Sequence, residues 1–171
     1  LPLDRNHTDF SQVRNLLKHR QLVSISFDAH DRIVKCREYL DRKLANTDEL
    51  IYGINTGFGY LQNVRIEASQ LHTLQSNLIQ SHACGMGDEV PVEIVKLMLA
   101  LKIKSLSYGH SGVQIDTVNR LMDMHNHNMI PVVYTQGSLG ASGDLAPLSH
   151  LSLPLIGMGE VYLEGKKMPA A

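Results

Sequence analysis

The feature that most constrains the fold of this chain is the recurrence of apolar residues at every third or fourth position. This spacing places apolar side chains on one face of a helix and leaves charged side chains on the other. It predicts helices at Asp9 to Arg20, with Thr8 as N-cap, at Asp28 to Leu44, from about Glu67 to Ile79 and from about Ile115 to Asn126. The sequence therefore predicts a mainly α fold.

A more apolar helix is predicted in the middle of the chain. Pro91 suits the first turn of a helix, and Gly109 follows the last residue of the pattern. Between them, the stretch from Ile94 to Leu106 is apolar nearly all round. A helix of this kind is typical of a buried core element, so we expect the other helices to pack around it.

The last residues predict a different element. From Gly159 to Pro169, apolar residues alternate with polar ones, and Glu164-Gly165 forms a turn signal in the middle. This pattern predicts a β-hairpin. The expected fold is thus helices with glycine-rich loops and a small terminal β-hairpin, within one segment spanning residues 1–171.

Composition and charge exclude several classes of partner. A hydrophobic content of 43% in 171 residues is enough for a globular core. Lys and Arg total 16 against 17 for Asp and Glu, so no net field favours nucleic acid or an acidic membrane surface. No apolar run reaches the roughly 18 residues that span a bilayer, and the first residues do not resemble a signal peptide. We expect a cytoplasmic protein without nucleic-acid or membrane partners.

Cysteine and histidine patterns do not indicate a metal site. Cys36 and Cys84 fall in helix-like stretches without metal-ligand spacing, and both are interpreted as small buried hydrophobic residues in a reducing compartment. His125 and His127 are two residues apart, which places them on different faces of a helix. Because no cysteine or carboxylate cluster completes a ligand set, we expect no bound metal.

Two glycine-rich segments interrupt the helices. Gly137 to Ser149 contains three glycines before a helix predicted to start near Asp144. From the residues alone it has three interpretations: a phosphate loop, which lacks the usual Lys-Thr ending, a serine nucleophile in Gly140 to Asp144, which lacks the final glycine, or a tight turn with an N-cap. Ile51 to Tyr60 also contains three glycines and predicts a loop.

Two side chains near these segments have ordinary structural interpretations. Tyr52, within the second loop, would most often be a buried ring with a hydrogen-bonded hydroxyl. His82 is expected in the last turn of a helix that Gly85 ends, where a histidine is usually a surface group favoured by the helix dipole.

Three segments together nevertheless resemble the aromatic amino acid lyase family, which includes histidine, phenylalanine and tyrosine ammonia-lyases. They are Gly137 to Ser149, Tyr52 to Gly59 and Asn77 to Gly85. The resemblance implies a carbon–nitrogen lyase that eliminates ammonia from an amino acid without oxidation. It further implies the amino-terminal part of the family fold, with glycine-rich active-site loops.

The resemblance also implies a prosthetic group made from the chain itself. In the family, the triplet that matches Ala141-Ser142-Gly143 cyclises to 4-methylidene-imidazol-5-one. The amide nitrogen of Gly143 attacks the carbonyl carbon of Ala141, whose oxygen leaves as water, and Ser142 loses its hydroxyl as a second water. The absence of a Cβ at Gly143 permits this approach. No external cofactor is then expected, because the ring supplies the electron sink.

Roles for three further residues follow from the resemblance. Tyr52 matches the base that removes a β-proton from the substrate. Ser81 and His82 match the substrate-binding pair, which is Phe-Leu in phenylalanine-selective members, His-Leu in tyrosine-selective members and Ser-His in histidine-selective members. A polar pair suits an imidazole ring, whose nitrogens need partners. The implied reaction therefore converts L-histidine to urocanate, as in histidine degradation.

Two alternatives remain beside this interpretation. The chain could belong to a lyase or 2,3-aminomutase acting on phenylalanine or tyrosine, which the Ser81-His82 pair disfavours. It could instead be a non-catalytic helical domain of the same family, which the intact Ala141 to Gly143 triplet disfavours. One segment departs from the family pattern, because Lys102-Ile103-Lys104 stands where an Arg-x-Asn pair is expected.

The resemblance places this chain within a larger protein. Family members are much longer, form tetramers and build each active site from several subunits. We therefore expect residues 1–171 to be the amino-terminal segment of a homo-oligomeric enzyme, without the downstream helical bundle. Turnover is not expected from this segment alone.

Overall fold

A computed structural model of the chain describes residues 1–18, 21–138 and 145–171. Helices dominate this part of the chain, which confirms the mainly α prediction. The helices are α1 (Phe10–Lys18), α2 (Phe27–Asn46), α3 (Leu71–His82), α4 (Val92–Ser107), α5 (Ile115–Asn126) and α6 (Leu145–Ser152). Short 3-10 turns occupy Gly59–Leu61, Ala68–Gln70 and Leu153–Ile156.

Short strands connect the helices in small sheets. They are β1 (Pro2–Leu3), β2 (Ser24–Ile25), β3 (Met86–Glu89), β4 (Ile130–Pro131), β5 (Tyr134–Gln136), β6 (Glu160–Leu163) and β7 (Lys166–Pro169). β1 pairs with β2 in parallel, β3 pairs with β5 antiparallel, and β4, β6 and β7 form an antiparallel sheet in that order. The predicted hairpin is confirmed as β6–β7. Its turn residues Glu164 and Gly165 have φ values of 52° and 77°, as a tight two-residue hairpin turn requires.

Helix α4 lies at the centre of the core. It contacts α1, α2, α5, β1 and β4, and its inner face is fully buried at Leu99 and Ile103. The expected burial is confirmed on this face, whereas Ile94 and Leu101 are 45% and 50% exposed. Among the described residues, the neighbouring elements cover α4 on one side. Some apolar side chains of α4 therefore remain exposed in this chain.

The ends of the first two helices show how local side chains set their limits. The Oδ1 atom of Asp9 accepts the amide N–H of Gln12 at 2.8 Å, and the Oε1 atom of Gln12 accepts the amide N–H of Asp9 at 3.0 Å. This reciprocal pair is a capping box, so Asp9 is the N-cap and the predicted Thr8 cap was wrong. Ser26 caps α2 by accepting the amide N–H of Ala29 at 3.1 Å.

The burial expected of both cysteines was also wrong. Cys36 is half-buried in α2, whereas Cys84 is exposed and lies beyond the end of α3. Because the helix stops at His82, Cys84 belongs to the extended segment that leads into β3. Within residues 1–18, 21–138 and 145–171, no cluster of three or more potential metal ligands occurs. Nor is any helix in this part long and apolar enough to cross a membrane.

One polar side chain lies deep in the core. His125 of α5 is 1% exposed, its Nδ1 atom lies 3.3 Å from Oδ1 of Asn126, and its Nε2 atom has no hydrogen-bond partner among the described residues. Burial disfavours the charged imidazolium and holds the pKa of His125 below its usual value. The amide of Asn126 meanwhile bonds both backbone groups of Val23, at 2.8 and 2.9 Å.

The buried imidazole makes stability depend on pH. Since the folded-state pKa of His125 is lowered, the unfolded chain binds a proton at a pH where the folded chain does not, and stability falls as the pH drops below about 6.5. We predict that His125→Leu keeps stability at pH 7 within about 1 kcal/mol and weakens this pH dependence. Urea unfolding from pH 8 to pH 5 measures both quantities.

The exposed histidine His30 of α2 provides the control. His30→Leu should retain the slope of the unchanged chain. If His125→Leu also retains the full slope, the buried imidazole is not a source of the acid sensitivity.

Candidate active site

The loop after α2 presents its tyrosine at the surface. Tyr52 is 61% exposed, and its hydroxyl oxygen accepts the amide N–H of Gly59 at 3.4 Å. Its ring meets the ring of Phe58 edge-on, with 5.9 Å between the centroids. The interpretation of Tyr52 as a buried structural ring is therefore wrong. The side chain of Tyr52 lies at the surface.

Two buried polar residues fix the loop beneath this tyrosine. Asn55 is 6% exposed, its Oδ1 atom accepts the amide N–H of Ile51 at 2.7 Å, and its Nδ2 atom donates to the carbonyl of Glu49 at 3.0 Å. The hydroxyl of Thr56, fully buried, donates to the carbonyl of Gly57 at 2.9 Å. These bonds give backbone groups at Glu49, Ile51 and Gly57 hydrogen-bond partners inside the protein, while Tyr52 remains at the surface. The sequence did not predict either role.

The predicted substrate pair lies at the carboxyl end of α3, where helix carbonyls lack helical partners. The Nδ1 atom of His82 lies 2.9 Å from the carbonyl oxygen of Leu78, and the hydroxyl of Ser81 donates to the same oxygen at 3.0 Å. A carbonyl accepts hydrogen bonds only, so Nδ1 of His82 carries a proton. In the neutral ring this leaves Nε2 as an acceptor for a ligand.

Ser81 and His82 line a cavity of about 220 Å³. Its described lining is completed by small or apolar residues from the segment after α3, the end of β5 and the start of α6: Cys84, Gly137, Ser138, Leu145 and Ala146. Ser138 and Leu145 are the described residues on either side of the segment 139–144. The predicted triplet Ala141, Ser142 and Gly143 belongs to that segment and lies outside the described residues. The structure thus brings the predicted substrate pair to the flanks of the predicted electrophile.

Among the described residues that line this cavity, no lysine or arginine is present.

A close approach of two backbone segments forms one wall of the cavity. The pairing of β3 with β5 sets Met86 opposite Gln136 and so brings Gly85 beside Gly137. Gly137 has a φ of 126°, and a Cβ atom added there would lie 2.9 Å from Cα of Gly85. Only glycine combines this backbone conformation with so close a contact.

A histidine that the sequence did not single out joins this wall to α6. His150 is 8% exposed, and its Nε2 atom accepts the amide N–H of Gly85 at 2.9 Å. Its ring meets Tyr134 edge-on, at a centroid distance of 5.2 Å. Burial lowers the pKa of His150, which keeps the imidazole neutral and its acceptor available. His150 lies four residues after Ala146, so helical spacing places the two on the same face of α6. That spacing could indicate burial of His150, but not its bond to the amide of Gly85.

Tyr52 is not among the described residues that line this cavity. Its loop contributes Ile54 to a different cavity of about 640 Å³, which α2, α4 and α6 also line. The structure therefore brings Ser81 and His82 together with the flanks of the triplet, and does not bring Tyr52 to the same cavity within one chain.

The departure from the family pattern at Lys102-Ile103-Lys104 has a structural role elsewhere. The Nζ atom of Lys104 donates to the carbonyls of Asp4 at 2.9 Å and Asn6 at 2.7 Å. This lysine ties the first residues to α4. Neither lysine is among the described residues that line the cavity at Ser81 and His82.

The family to which the chain belongs follows from sequence comparison. A model of the family described as aromatic amino acid lyase matches residues 8–171. The match covers nearly all of the chain, so this chain belongs to the aromatic amino acid lyase family, and the resemblance is confirmed.

Curated relatives of the chain include histidine ammonia-lyases from bacteria. The chain is 47% identical over 169 residues to a histidine ammonia-lyase of Deinococcus radiodurans, covering 99% of this chain and 32% of the relative. It is 45% identical over 159 residues to a histidine ammonia-lyase of Bacillus cytotoxicus, covering 93% of this chain and 31% of the relative. The chain spans about a third of the length of these relatives.

Solved structures of the family share the fold. Histidine ammonia-lyase from Trypanosoma cruzi superposes with a TM-score of 0.83 at 34% identity, covering 94% of this chain and 31% of that one. Tyrosine aminomutase from Streptomyces globisporus superposes with a TM-score of 0.90 at 30% identity, covering 99% and 32%. Ergothionase from Treponema denticola gives 0.94 at 28% identity, covering 99% and 34%. The expected family fold is confirmed.

The hydrogen bonds of Asn55 lead to a prediction for the tyrosine loop. Asn55→Ala removes two bonds and leaves the Ile51 amide and the Glu49 carbonyl without these partners, at a cost of about 1–3 kcal/mol. We expect a lower free energy of unfolding and faster hydrogen exchange at the Ile51 amide. Asn63→Ala, at an exposed position of the same region, should change neither. Equal behaviour of the two variants would show that Asn55 does not hold the loop.

Proposed function

We propose that this chain is the amino-terminal segment of a cytoplasmic enzyme that eliminates ammonia from L-histidine to give urocanate. The observation that carries this proposal is the cavity at Ser81 and His82, which opens between the residues flanking the Ala141 to Gly143 triplet. The histidine ammonia-lyases among the relatives support the same substrate. The free thiols of Cys36 and Cys84 suit a reducing compartment.

The proposal includes the family's prosthetic group, 4-methylidene-imidazol-5-one, formed from Ala141, Ser142 and Gly143. When formed, this ring supplies an electrophile that draws electrons from the substrate, so no external cofactor is required. The flanks fit such a group, because Gly137, Ser138 and Ala146 are small and leave open volume beside the triplet.

Ser81 and His82 are proposed to bind the substrate side chain. With the Nδ1 proton of His82 directed at the Leu78 carbonyl, Nε2 accepts the N–H of a substrate imidazole. An apolar benzene ring offers no such proton and would leave Nε2 unpaired. This difference favours histidine over phenylalanine.

Tyr52 is proposed as the general base that takes the β-proton of the substrate. Its side chain is exposed, and its hydroxyl oxygen accepts the amide N–H of Gly59 at 3.4 Å. Because Tyr52 is not among the described residues that line the cavity, we propose that it acts on substrate held by a neighbouring subunit. The enzyme is accordingly proposed to be a homo-oligomer, a tetramer as in full-length family members.

A second candidate is a tyrosine or phenylalanine aminomutase or lyase. The close superposition on tyrosine aminomutase supports it. The phenylalanine ring, however, offers no hydrogen bond to His82, and tyrosine-selective family members carry His-Leu where this chain has Ser81-His82, so the pair favours histidine.

One experiment on the full-length protein tests the proposal. We expect urocanate from L-histidine, little turnover of L-tyrosine or L-phenylalanine, and the loss of two waters from the peptide containing residues 141–143. Ser142→Ala should abolish both the water loss and turnover. Tyr52→Phe should retain the water loss while kcat falls by about 10² to 10⁴. Mass spectrometry and urocanate absorbance measure these outcomes.

Two results would contradict the proposal. An unmodified triplet in an active enzyme would exclude the self-made electrophile. A Tyr52→Phe variant altered only in KM would make Tyr52 a binding residue instead of the base.

The selectivity of the cavity leads to a further prediction. Replacing Ser81 with Phe and His82 with Leu removes the polar partners of the imidazole, at about 1–3 kcal/mol for each unpaired group. We expect kcat/KM for histidine to fall by roughly ten- to over a hundredfold. Phenylalanine should gain by a smaller factor. His72→Leu, in the first turn of the same helix, serves as the control and should keep the preference for histidine. If the double variant keeps it as well, selectivity lies elsewhere.

A further inference from the structure

We propose that His150 is a positioning residue, which sets the distance between the substrate pair Ser81-His82 and the start of α6 at Leu145 and Ala146. It does so by accepting the backbone amide of Gly85. The inference rests on the proposed function, because that function places substrate in the cavity that these residues line.

The bond joins the segment after α3 to helix α6, and both of these segments carry residues that line the cavity. Gly85 follows His82 by three residues, so its position constrains where the end of α3 lies. His150 belongs to α6, which starts at Leu145, the first described residue after the triplet. Leu145 and Ala146 line the cavity themselves. A change in the length of the bond between Gly85 and His150 therefore changes the separation between the end of α3 and the start of α6 across the cavity.

Packing makes the bond specific to this imidazole. A Cβ atom added at Gly85 would lie 2.9 Å from Nε2 and 3.0 Å from Cδ2 of His150, so the ring rests against the bare backbone. The backbone of Gly137 lies close to Gly85 as well, and the ring of Tyr134 packs edge-on with the ring of His150. The amide of Gly85 is thus held between two segments, with Nε2 as its acceptor.

His150 acts through this backbone contact and not on substrate. It is not among the described residues that line the cavity, and it is 8% exposed. Burial also keeps the ring neutral, so its Nε2 lone pair remains available to the Gly85 amide. Loss of the acceptor would leave that amide unpaired and free to shift with the end of α3.

The test compares three variants of the full-length protein. His150→Leu removes the acceptor, His150→Gln places an amide oxygen near the position of Nε2, and His150→Asn places one at the shorter position of Nδ1. We expect all three to retain the loss of two waters at residues 141–143. For His150→Leu and His150→Asn, kcat/KM for L-histidine should fall by roughly five- to a hundredfold, as an unpaired buried amide implies. His150→Gln should recover most of it.

Hydrogen exchange at the Gly85 amide provides an independent readout. It should accelerate in His150→Leu and His150→Asn and return towards the original rate in His150→Gln. His125→Leu, which alters another buried histidine, should change neither this exchange rate nor the kinetic constants. Equal kinetics and exchange in the Gln and Asn variants, or unchanged values in both, would overturn the positioning role.

The two proposals fail in different ways. If the unaltered enzyme neither loses the two waters nor releases urocanate, the proposed function fails. Hydrogen exchange at Gly85 still decides whether His150 holds that amide. If His150→Leu does not fold, the comparison of the Gln and Asn variants carries the test.

Discussion

The candidate site depends on the close contact between the backbones at Gly85 and Gly137. Two chain segments can approach to this distance only where no side chain stands between them. The strand pair β3–β5 aligns them, and each segment then leads to a different part of the site: backwards from Gly85 to the end of α3, and forwards from Gly137 to the triplet. Residues far apart in sequence therefore line one cavity.

The surrounding fold supplies the rigidity that this contact needs. Helix α4 gives the helices a common core, and the terminal hairpin braces the far end of β3. There, the hydroxyl of Tyr162 donates to Glu89 at 2.8 Å, and the ammonium of Lys167 lies 2.9 Å from the same carboxylate. The hydrogen bonds from Lys167 and then Tyr162 lower the pKa of Glu89. A charged network at one end of the strand and a glycine contact at the other thus fix β3 beneath the site.

Local patterns predicted what depends on local geometry. Helical periodicity predicted the helices, because burial of one face follows from spacing along the chain. The position of His82 in a final helical turn was likewise predictable. The contact between His150 and Gly85 was not predictable, because those residues are 65 positions apart and no local pattern in either segment indicates the other as its partner. The role of Asn55 and the exposure of Cys84 depend in the same way on how a loop or a helix end meets its neighbours.

The anchoring of Lys104 determines the behaviour of the first residues. Its ammonium binds two carbonyls, Arg5 donates to the carbonyl of Tyr108 at 3.0 Å, and Leu3 is buried. These contacts hold residues 3–6 against α4 and Tyr108. A substitution that shifts the central helix would therefore shift this segment as well.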